Sequence, residues 1–233
     1  MMKRYIFTIL LALFTTQFSP SVWAEEPIEG LELETAPINR SDMDSIKRGA
    51  KFFATNCVSC HTLSYLRYDP IVKEAGIPTD KKPLAINGVV PPDLSLEASS
   101  KGVDWIYTYL HSFYKDTSTA SGVNNLLFPG TAMPAILAPY QGEQVRVEKP
   151  VYDLLHHVEW FDLVKPVRPG SMKPDEFDKA VADLTNFLAY AAEPFHEQQQ
   201  KIGYWVLGFL VILFVLMYML KKEYWKDVKR HKE

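Results

Sequence analysis

Cysteine is almost absent from this sequence, and the only two cysteines stand close together. Among 233 residues they are Cys57 and Cys60, within the stretch "TNCVSCHTLSY" at residues 55–65. A structural zinc site requires four ligands, usually from two cysteine pairs or a histidine pair at fixed spacing, and no second cysteine pair exists. A disulfide across two intervening residues closes a tiny loop and constrains the chain little. The scarcity of cysteine therefore argues against structural zinc and gives a simple disulfide little purpose.

Basic side chains are scarce in the middle of the sequence. Residues 25–200 contain 25 acidic and 16 basic side chains, a net charge of −9 with histidine neutral. This acidity argues against nucleic acid as a partner and is compatible with a basic protein partner. On composition alone, solubility explains the charge without any partner. Internal repeats and low-complexity tracts are absent too, so the region is predicted to form one domain with one core.

Long hydrophobic runs occur twice, once near each end. The first follows the basic pair Lys3 and Arg4 and ends near Val22 and Ala24, whose small side chains suit a cleavage site. Residues 1–24 are therefore predicted to be a secretory signal peptide. The alternative is an N-terminal membrane anchor, for which the run is short, because a span needs about 20 apolar residues.

The second run, residues 202–220, carries no charged side chain. At about 1.5 Å per residue, a helix of this length crosses a hydrocarbon core of about 30 Å, so residues 201–220 are predicted to be a transmembrane helix. Residues 221–233 hold six basic and three acidic side chains, and this excess predicts a cytoplasmic tail. The domain at residues 25–200 is then periplasmic. A buried helix of a soluble protein is the alternative interpretation.

Apolar residues at spacings of three and four predict a helix that leads directly into Cys57. Ser41 or Asp42 can cap its start. Its apolar stripe is predicted to comprise Met43, Ile46, Ala50 and Phe53. Met43 is expected to pack in the core for this reason.

Two further helices are predicted in the same region. They run from Val103 to about Tyr114, with Ile106, Tyr109, Leu110 and Phe113 on one face, and from Pro174 to Pro194, with Phe177, Val181, Leu184 and Leu188 on one face. Proline and turn residues predict ordered loops over residues 66–100 and 115–150. A weak hairpin signal lies at residues 143–164. The predicted fold is mainly α with long ordered loops.

The motif Cys-x-x-Cys-His, completed by His61, has two chemical interpretations besides zinc and a plain disulfide. A thioredoxin-like exchanging pair normally follows a strand and opens a helix, whereas here a predicted helix precedes it and βαβ units are absent. In c-type haem attachment, the two thiols add to the porphyrin vinyl groups and the adjacent histidine binds the iron. Covalent haem c through Cys57 and Cys60, with His61 as proximal ligand, is the prediction.

The sixth iron ligand has several candidates in the exported domain. They are Met43, Met133, Met172, His111, His156, His157 and His196. Met133 lies in "PGTAMPAI", a loop stiffened by Gly130 and Pro134 downstream of the haem motif, and it is the preferred candidate. Met172 suits either ligation or packing, and His156 and His157 suit surface or core positions.

Several stretches resemble one known family. They are "RGAKFFATNCVSCHTLSYLRY" (48–68), "NGVVPPDLS" (87–95), "GTAMPAIL" (130–137), "DLTNFLAYAAEP" (183–194) and the C-terminal span. Together and in this order they are similar to the cytochrome c1 family, the haem subunits of ubiquinol–cytochrome c oxidoreductases. The segment "LKKEYWKDVK" resembles the bacterial members. The resemblance implies a class I cytochrome c-like fold with enlarged loops, in a bacterial inner membrane.

The resemblance also implies residue roles. Cys57 and Cys60 form the thioethers, and His61 and Met133 are the axial iron ligands. The segment "PPDLS" is expected to line the haem edge, with Pro91 and Pro92 as its cofactor-binding residues.

One feature departs from the family pattern. Many members carry arginines shortly after "PPDLS", one of them near a haem propionate, whereas this chain reads "LEASSKGVD". Lys101 can replace an arginine as a point charge but lacks its forked geometry. The neutralisation of the propionates is therefore left open.

The implied function is electron transfer, with no substrate chemistry of the chain's own. The resemblance implies that electrons arrive from a Rieske iron–sulfur protein and leave to a soluble or anchored cytochrome c, beside cytochrome b and in contact with membrane lipid. The alternatives are an anchored c-type cytochrome of another respiratory oxidase or reductase, a thiol–disulfide oxidoreductase, and a haem assembly or sensor protein with an open sixth site.

Overall fold

The fold is described here from a computed structural model, which covers residues 33–80, 85, 88–152 and 158–230. The predicted signal peptide, residues 1–24, lies outside the described residues. The described helices are α1 (Met43–Asn56), α2 (Pro70–Glu74), α3 (Glu97–Ser100), α4 (Val103–His111), α5 (Ala138–Gln141), α6 (Pro174–Ala192) and α7 (His196–Arg230), with a 3-10 turn at Ser64–Leu66. The described strands are β1 (Phe113–Lys115), β2 (Val123–Asn125), β3 (Gly142–Tyr152) and β4 (Val158–Pro169). The prediction of a mainly α fold with ordered loops and a C-terminal apolar helix is confirmed.

Helix α1 begins where the sequence predicts, but its apolar face is shifted. The Asp42 carboxylate caps the helix by accepting hydrogen bonds from the backbone N–H groups of Asp44 and Ser45, at 3.1 and 3.0 Å. Ile46 and Phe53 are fully buried, as predicted. Met43 is 46% exposed, so its prediction as a core residue was wrong. It lies at the first position of α1, before the face that packs against α6 begins.

Helices α1 and α6 cross in close contact at Gly49. A Cβ atom built there would lie 2.0 Å from the backbone oxygen of Asp183 and 2.8 Å from the Cβ of Phe187. Beside this contact, the Arg48 guanidinium donates from Nε and Nη2 to the two carboxylate oxygens of Asp183, at 2.7 and 2.8 Å. The rings of Phe53 and Phe187 pack edge to face with centroids 5.7 Å apart. This crossing fixes the helix that carries the cysteine motif.

Replacing Gly49 with alanine is expected to destabilise the domain, because the new methyl group meets backbone that cannot rotate away. The helices must separate, and the free energy of unfolding should fall by about 3 kcal/mol, the upper end for overpacking in a core. Urea unfolding of the detergent-solubilised chain, followed by near-UV circular dichroism, measures it. Gly203→Ala is the control, since nothing lies within 4 Å of a Cβ there. Equal stability of the two variants would contradict the close contact.

Helix α6 matches its prediction. Pro174 occupies its first turn, and the Glu176 side chain accepts a hydrogen bond from the backbone N–H of Lys173 at 3.2 Å. Its predicted stripe is buried, comprising Phe177, Val181, Leu184 and Leu188. The helix ends at Ala192, two residues before Pro194.

Helix α4 is shorter than predicted, ending at His111 rather than near Tyr114. Phe113 and Tyr114 instead form β1, which pairs antiparallel with β2 in the register Phe113↔Asn125 and Tyr114↔Asn124. Long-range strand pairing has therefore overridden a local helical pattern. Phe113 is still buried, as predicted.

The weak hairpin signal corresponds to a long antiparallel arm of β3 and β4. The Gln144 side chain attaches the base of this arm to the end of α4, because its Nε2 donates to the backbone oxygens of His111 and Phe113 at 2.8 and 3.0 Å. The base of the arm is therefore held against the junction of α4 and β1.

Helix α7 contains the predicted membrane segment. Among the residues that the structure describes, its stretch Gln198–Lys226 alone is long and apolar enough to cross a membrane, and none of its most apolar window is buried within the chain. The helix fits a single-pass membrane anchor. At its start, Arg40 donates to the Glu193 carboxylate at 2.6 Å, and the His196 ring lies 3.0 Å from the same oxygen. These contacts fasten the lead-in segment to the junction of α6 and α7.

Candidate haem-attachment site

The two cysteines and the histidine lie on one tight turn at the end of α1. Cys57 follows the helix, and its N–H donates to the backbone oxygen of Phe53 at 2.8 Å. The backbone N–H groups of Cys60 and His61 both donate to the oxygen of Cys57, at 3.1 and 2.8 Å. The Asn56 side chain accepts from the hydroxyl of Tyr140 at 3.1 Å, which fixes the turn against α5. The backbone therefore presents all three side chains from one rigid segment.

The cysteine environment is unsuited to thiol–disulfide exchange. Burial, assisted by the neighbouring Cys60, raises the pKa of the Cys57 thiol to about 12. Exchange requires a thiolate, and reactive cysteines have lowered pKa values. Within the described part of the chain, no group of three or more His, Cys, Asp or Glu side chains is placed to hold a metal ion.

The ring of His61 is held by a hydrogen bond to a backbone carbonyl. Its Nδ1 lies 2.9 Å from the backbone oxygen of Pro92, and a carbonyl can only accept, so Nδ1 carries the proton. In the neutral imidazole, Nε2 is then the nitrogen that carries no proton, and it has no hydrogen-bond partner among the described residues. A metal-bound histidine usually donates its other ring N–H in this way. The donor set of two thiols and one free imidazole nitrogen therefore fits covalent haem c.

The two prolines predicted to line the haem edge lie next to this histidine. Pro92 is exposed and supplies the carbonyl that accepts from His61, and Pro91 is half-buried beside it. The structure therefore brings the haem motif and "PPDLS" together across 31 residues.

Asp93 lies inside "PPDLS", and its own role in the site could not be predicted from the sequence. Two of the residues that donate to its carboxylate, Thr62 and Ser64, are about 30 residues away in the chain, and only Ser95 is a local partner. Burial alone would raise the pKa of Asp93, but hydrogen bonds from Ser95, Thr62 and Ser64 outweigh it and hold the pKa far below its usual range. The carboxylate therefore stabilises the folded state above about pH 4, and this contribution is lost as the pH falls further.

Met133 lies half-buried in a separate loop and packs against the same core cluster as Cys57. Its N–H donates to the Thr131 hydroxyl at 3.3 Å, and that hydroxyl lies 2.8 Å from the phenolic oxygen of Tyr109 on α4. Met133 lines a small pocket together with Leu110, Phe113 and Leu137. The Met133 loop therefore packs against largely apolar side chains.

The residue that anchors this loop most strongly is Asn125, which is fully buried. Its Oδ1 accepts from the backbone N–H groups of Leu127 and Phe128 at 2.9 and 3.1 Å, and its Nδ2 donates to the Tyr109 oxygen at 2.8 Å. Sequence reasoning missed this role too, since an asparagine in a loop has no distinctive pattern.

The competing ligand candidates are engaged elsewhere or lie outside the described residues. The ring nitrogens of His111 lie 2.8 Å from the oxygen of Tyr107 and 3.2 Å from the carboxylate of Asp178, and those of His196 contact Glu193 and Gln200, each at 3.0 Å. Met172 is half-buried just before α6. His156 and His157 lie outside the described residues.

Lys101 lies with its ammonium group over the ring of Trp105, 5.4 Å from the centroid, and that ring stacks on Tyr109 at 5.0 Å. A role for Lys101 at a haem propionate stays a prediction.

One family profile and three relatives of this chain bear on the site. The Cytochrome C1 family profile matches residues 77–228, a range that begins after the cysteine motif and is independent of it. Cytochrome c1 of Allochromatium vinosum is 43% identical, over 85% of this chain and 91% of the relative. The ammonia monooxygenase gamma subunit of Nitrosomonas europaea is 38% identical, over 98% of this chain and 99% of the relative. The cytochrome b/c1 of Bradyrhizobium diazoefficiens is 23% identical over 82% of this chain, which covers 34% of that longer protein.

The attachment turn, the oriented histidine and the crossed helices α1 and α6 define a class I cytochrome c-like domain, here joined to an apolar helix. The chain belongs to the cytochrome c1 family. Membership implies a haem c cofactor, a place in respiratory electron transport, and a bc1 complex that contains cytochrome b.

Proposed function

We propose that this chain is the electron-carrying haem c subunit of a ubiquinol–cytochrome c oxidoreductase, accepting electrons from a Rieske iron–sulfur protein and delivering them to a cytochrome c. The observation that supports this most directly is the hydrogen bond between His61 Nδ1 and the Pro92 oxygen, in a chain of the cytochrome c1 family. That contact leaves Nε2 available on the same turn as two thiols.

The family resemblance supplies the residue roles in this proposal. Cys57 and Cys60 would hold the haem through thioether bonds, His61 and Met133 would bind its iron, and Pro91 and Pro92 would line its edge. The bound haem supplies a one-electron couple between ferrous and ferric iron. His61 keeps its proton on Nδ1, so that Nε2 stays a neutral ligand. A thioether ligand from Met133 would favour the reduced form of the haem and keep other ligands off the iron.

The charge and the anchor define the surroundings of this centre. The domain at residues 25–200, with its net charge of −9, can steer a basic cytochrome c into a weak contact that salt disrupts. The lipid-embedded span at residues 201–220 holds the domain beside cytochrome b. The signal peptide at residues 1–24 and the basic tail at 221–233 place the haem domain on the periplasmic side.

A second candidate is a haem c subunit of a different membrane complex. The observation that favours it is the near full-length similarity to a protein named as an ammonia monooxygenase subunit. The haem chemistry would be the same, and the partners alone would differ.

Purification of the intact chain from membranes in mild detergent separates these two candidates. We expect cytochrome b and a Rieske protein to accompany it, and we expect added quinol to reduce the haem c only while the Rieske protein is present. Co-purification with the subunits of another oxidoreductase or of a monooxygenase, without a Rieske protein, would support the second candidate instead.

A further inference from the structure

The carboxylate of Asp93 joins the segment after the haem motif to the "PPDLS" segment. Its Oδ2 accepts from the Thr62 hydroxyl at 2.6 Å and from both the N–H and the hydroxyl of Ser64, each at 2.8 Å. Its Oδ1 accepts from the N–H of Ser95 at 2.9 Å. Four donors on one carboxylate make a strong, directional junction, because hydrogen bonds to a charged acceptor are about twice as strong as neutral ones.

The backbone of the two segments is paired in the same place. Thr62 and Asp93 form a parallel bridge, and the N–H of Leu94 donates to the oxygen of Thr62 at 2.9 Å. The hydroxyl of Ser95, a fully buried residue, accepts from the N–H of Tyr65 at 3.2 Å. Side-chain and backbone hydrogen bonds thereby both fix the relative position of the two segments.

This junction lies one residue away from the contact that orients the proximal histidine. In the His61–Pro92 hydrogen bond, His61 is the donor and Pro92 the acceptor. Thr62 follows His61 and Asp93 follows Pro92, so the Thr62–Asp93 hydrogen bond joins the next residue of each segment. A displacement at Asp93 therefore moves the Pro92 oxygen directly relative to Nδ1. No other described side chain bridges these two segments with as many hydrogen bonds.

We propose that Asp93 is the positioning residue for His61: its three hydrogen bonds from Thr62 and Ser64 hold the Pro92 carbonyl on Nδ1 and thereby set the orientation and basicity of the ligating imidazole. This inference rests on the proposed function. A hydrogen bond from Nδ1 to an acceptor makes Nε2 a stronger donor, which favours the oxidised iron. Weakening the hydrogen bonds of Asp93 therefore shifts the redox equilibrium of the iron toward the reduced form, which raises the midpoint potential.

The test measures the solvent exchange of the Nδ1 proton of His61, by NMR of the reduced, histidine-labelled full chain in detergent, together with the midpoint potential. In Asp93→Asn, the neutral amide has a single acceptor oxygen, so it cannot accept both from Thr62 and Ser64 on one side and from the N–H of Ser95 on the other. We expect exchange to be roughly tenfold faster, as for the loss of about one net hydrogen bond, and the potential to rise. Thr62→Val removes one donor without changing any charge, and it should move both quantities in the same direction by less.

Glu97→Gln is the control, since it removes a negative charge from the same region without touching the junction. It should leave proton exchange unchanged. A rise in potential for Asp93→Asn with unchanged exchange would mean that Asp93 acts only through its charge, which would overturn the proposal. Unchanged exchange in Thr62→Val would overturn it as well, and that variant decides alone if Asp93→Asn does not yield folded protein. Absence of any c-type spectrum in the unaltered chain would instead refute the proposed function.

Discussion

Leucine in place of Met133 should leave the haem attached, lower the midpoint potential by on the order of 0.2 V and open the iron to carbon monoxide. Axial ligands move haem potentials over a span of about 0.8 V, and a thioether opposite histidine lies toward the high end. Leucine has nearly the volume of methionine, so packing is little changed. The loop keeps its anchors, because Asn125 and Thr131 bond to backbone groups or to Tyr109 and not to the thioether. The effect should therefore be on the iron rather than on the fold.

Redox titration and carbon monoxide binding to the reduced protein measure this outcome. Met172→Leu is the matched control, because Met172 is also half-buried and was a candidate from sequence. It should leave the potential and the spectrum unchanged. If Met133→Leu behaves like that control, Met133 is not the ligand. Rapid carbon monoxide binding to the unaltered protein would favour a sensor with an open sixth site.

Replacing His61 with leucine should abolish a stable low-spin cytochrome almost completely. The substitution removes the proximal ligand and, at the same time, the last residue of the haem-attachment motif. It also leaves the carbonyl of Pro92 without its donor at 2.9 Å. No other described histidine is placed to substitute, since His111 and His196 each have both ring nitrogens engaged.

Absorption spectra of membranes that contain equal amounts of each chain measure this loss. His196→Gln is the control, because His196 lies at the start of α7, where its ring contacts Glu193 and Gln200. That variant should carry a normal haem. A normal low-spin spectrum for His61→Leu would show that another residue binds the iron.

Much of the helical framework could be predicted from local sequence. Helices α1 and α6 have regular apolar spacing and recognisable first turns, and the structure confirms both. The predictions that failed depend on the neighbouring elements. Met43 fits the spacing of α1 but lies beyond the region of contact with α6, and Phe113 and Tyr114 leave the helix because β2 pairs with them.

The residues of the site also include some that could be predicted from local sequence and some that could not. Cys57, Cys60 and His61 form a local motif that fixes its own backbone turn, so their grouping could be predicted. The preference for Met133 as the sixth iron ligand rests mainly on the family resemblance, and this role stays a prediction. Asp93 and Asn125 act through partners that the fold brings together, and no local pattern distinguishes them from ordinary loop residues.

Mass spectrometry of the processed chain, purified and then fully denatured, tests the central claim most directly. The account predicts that the chain keeps the mass of one haem after denaturation, and that fragmentation places it on the peptide with Cys57 and Cys60. A denatured chain with the mass of the bare polypeptide and two free thiols would contradict covalent attachment, and with it the assignment as an electron carrier.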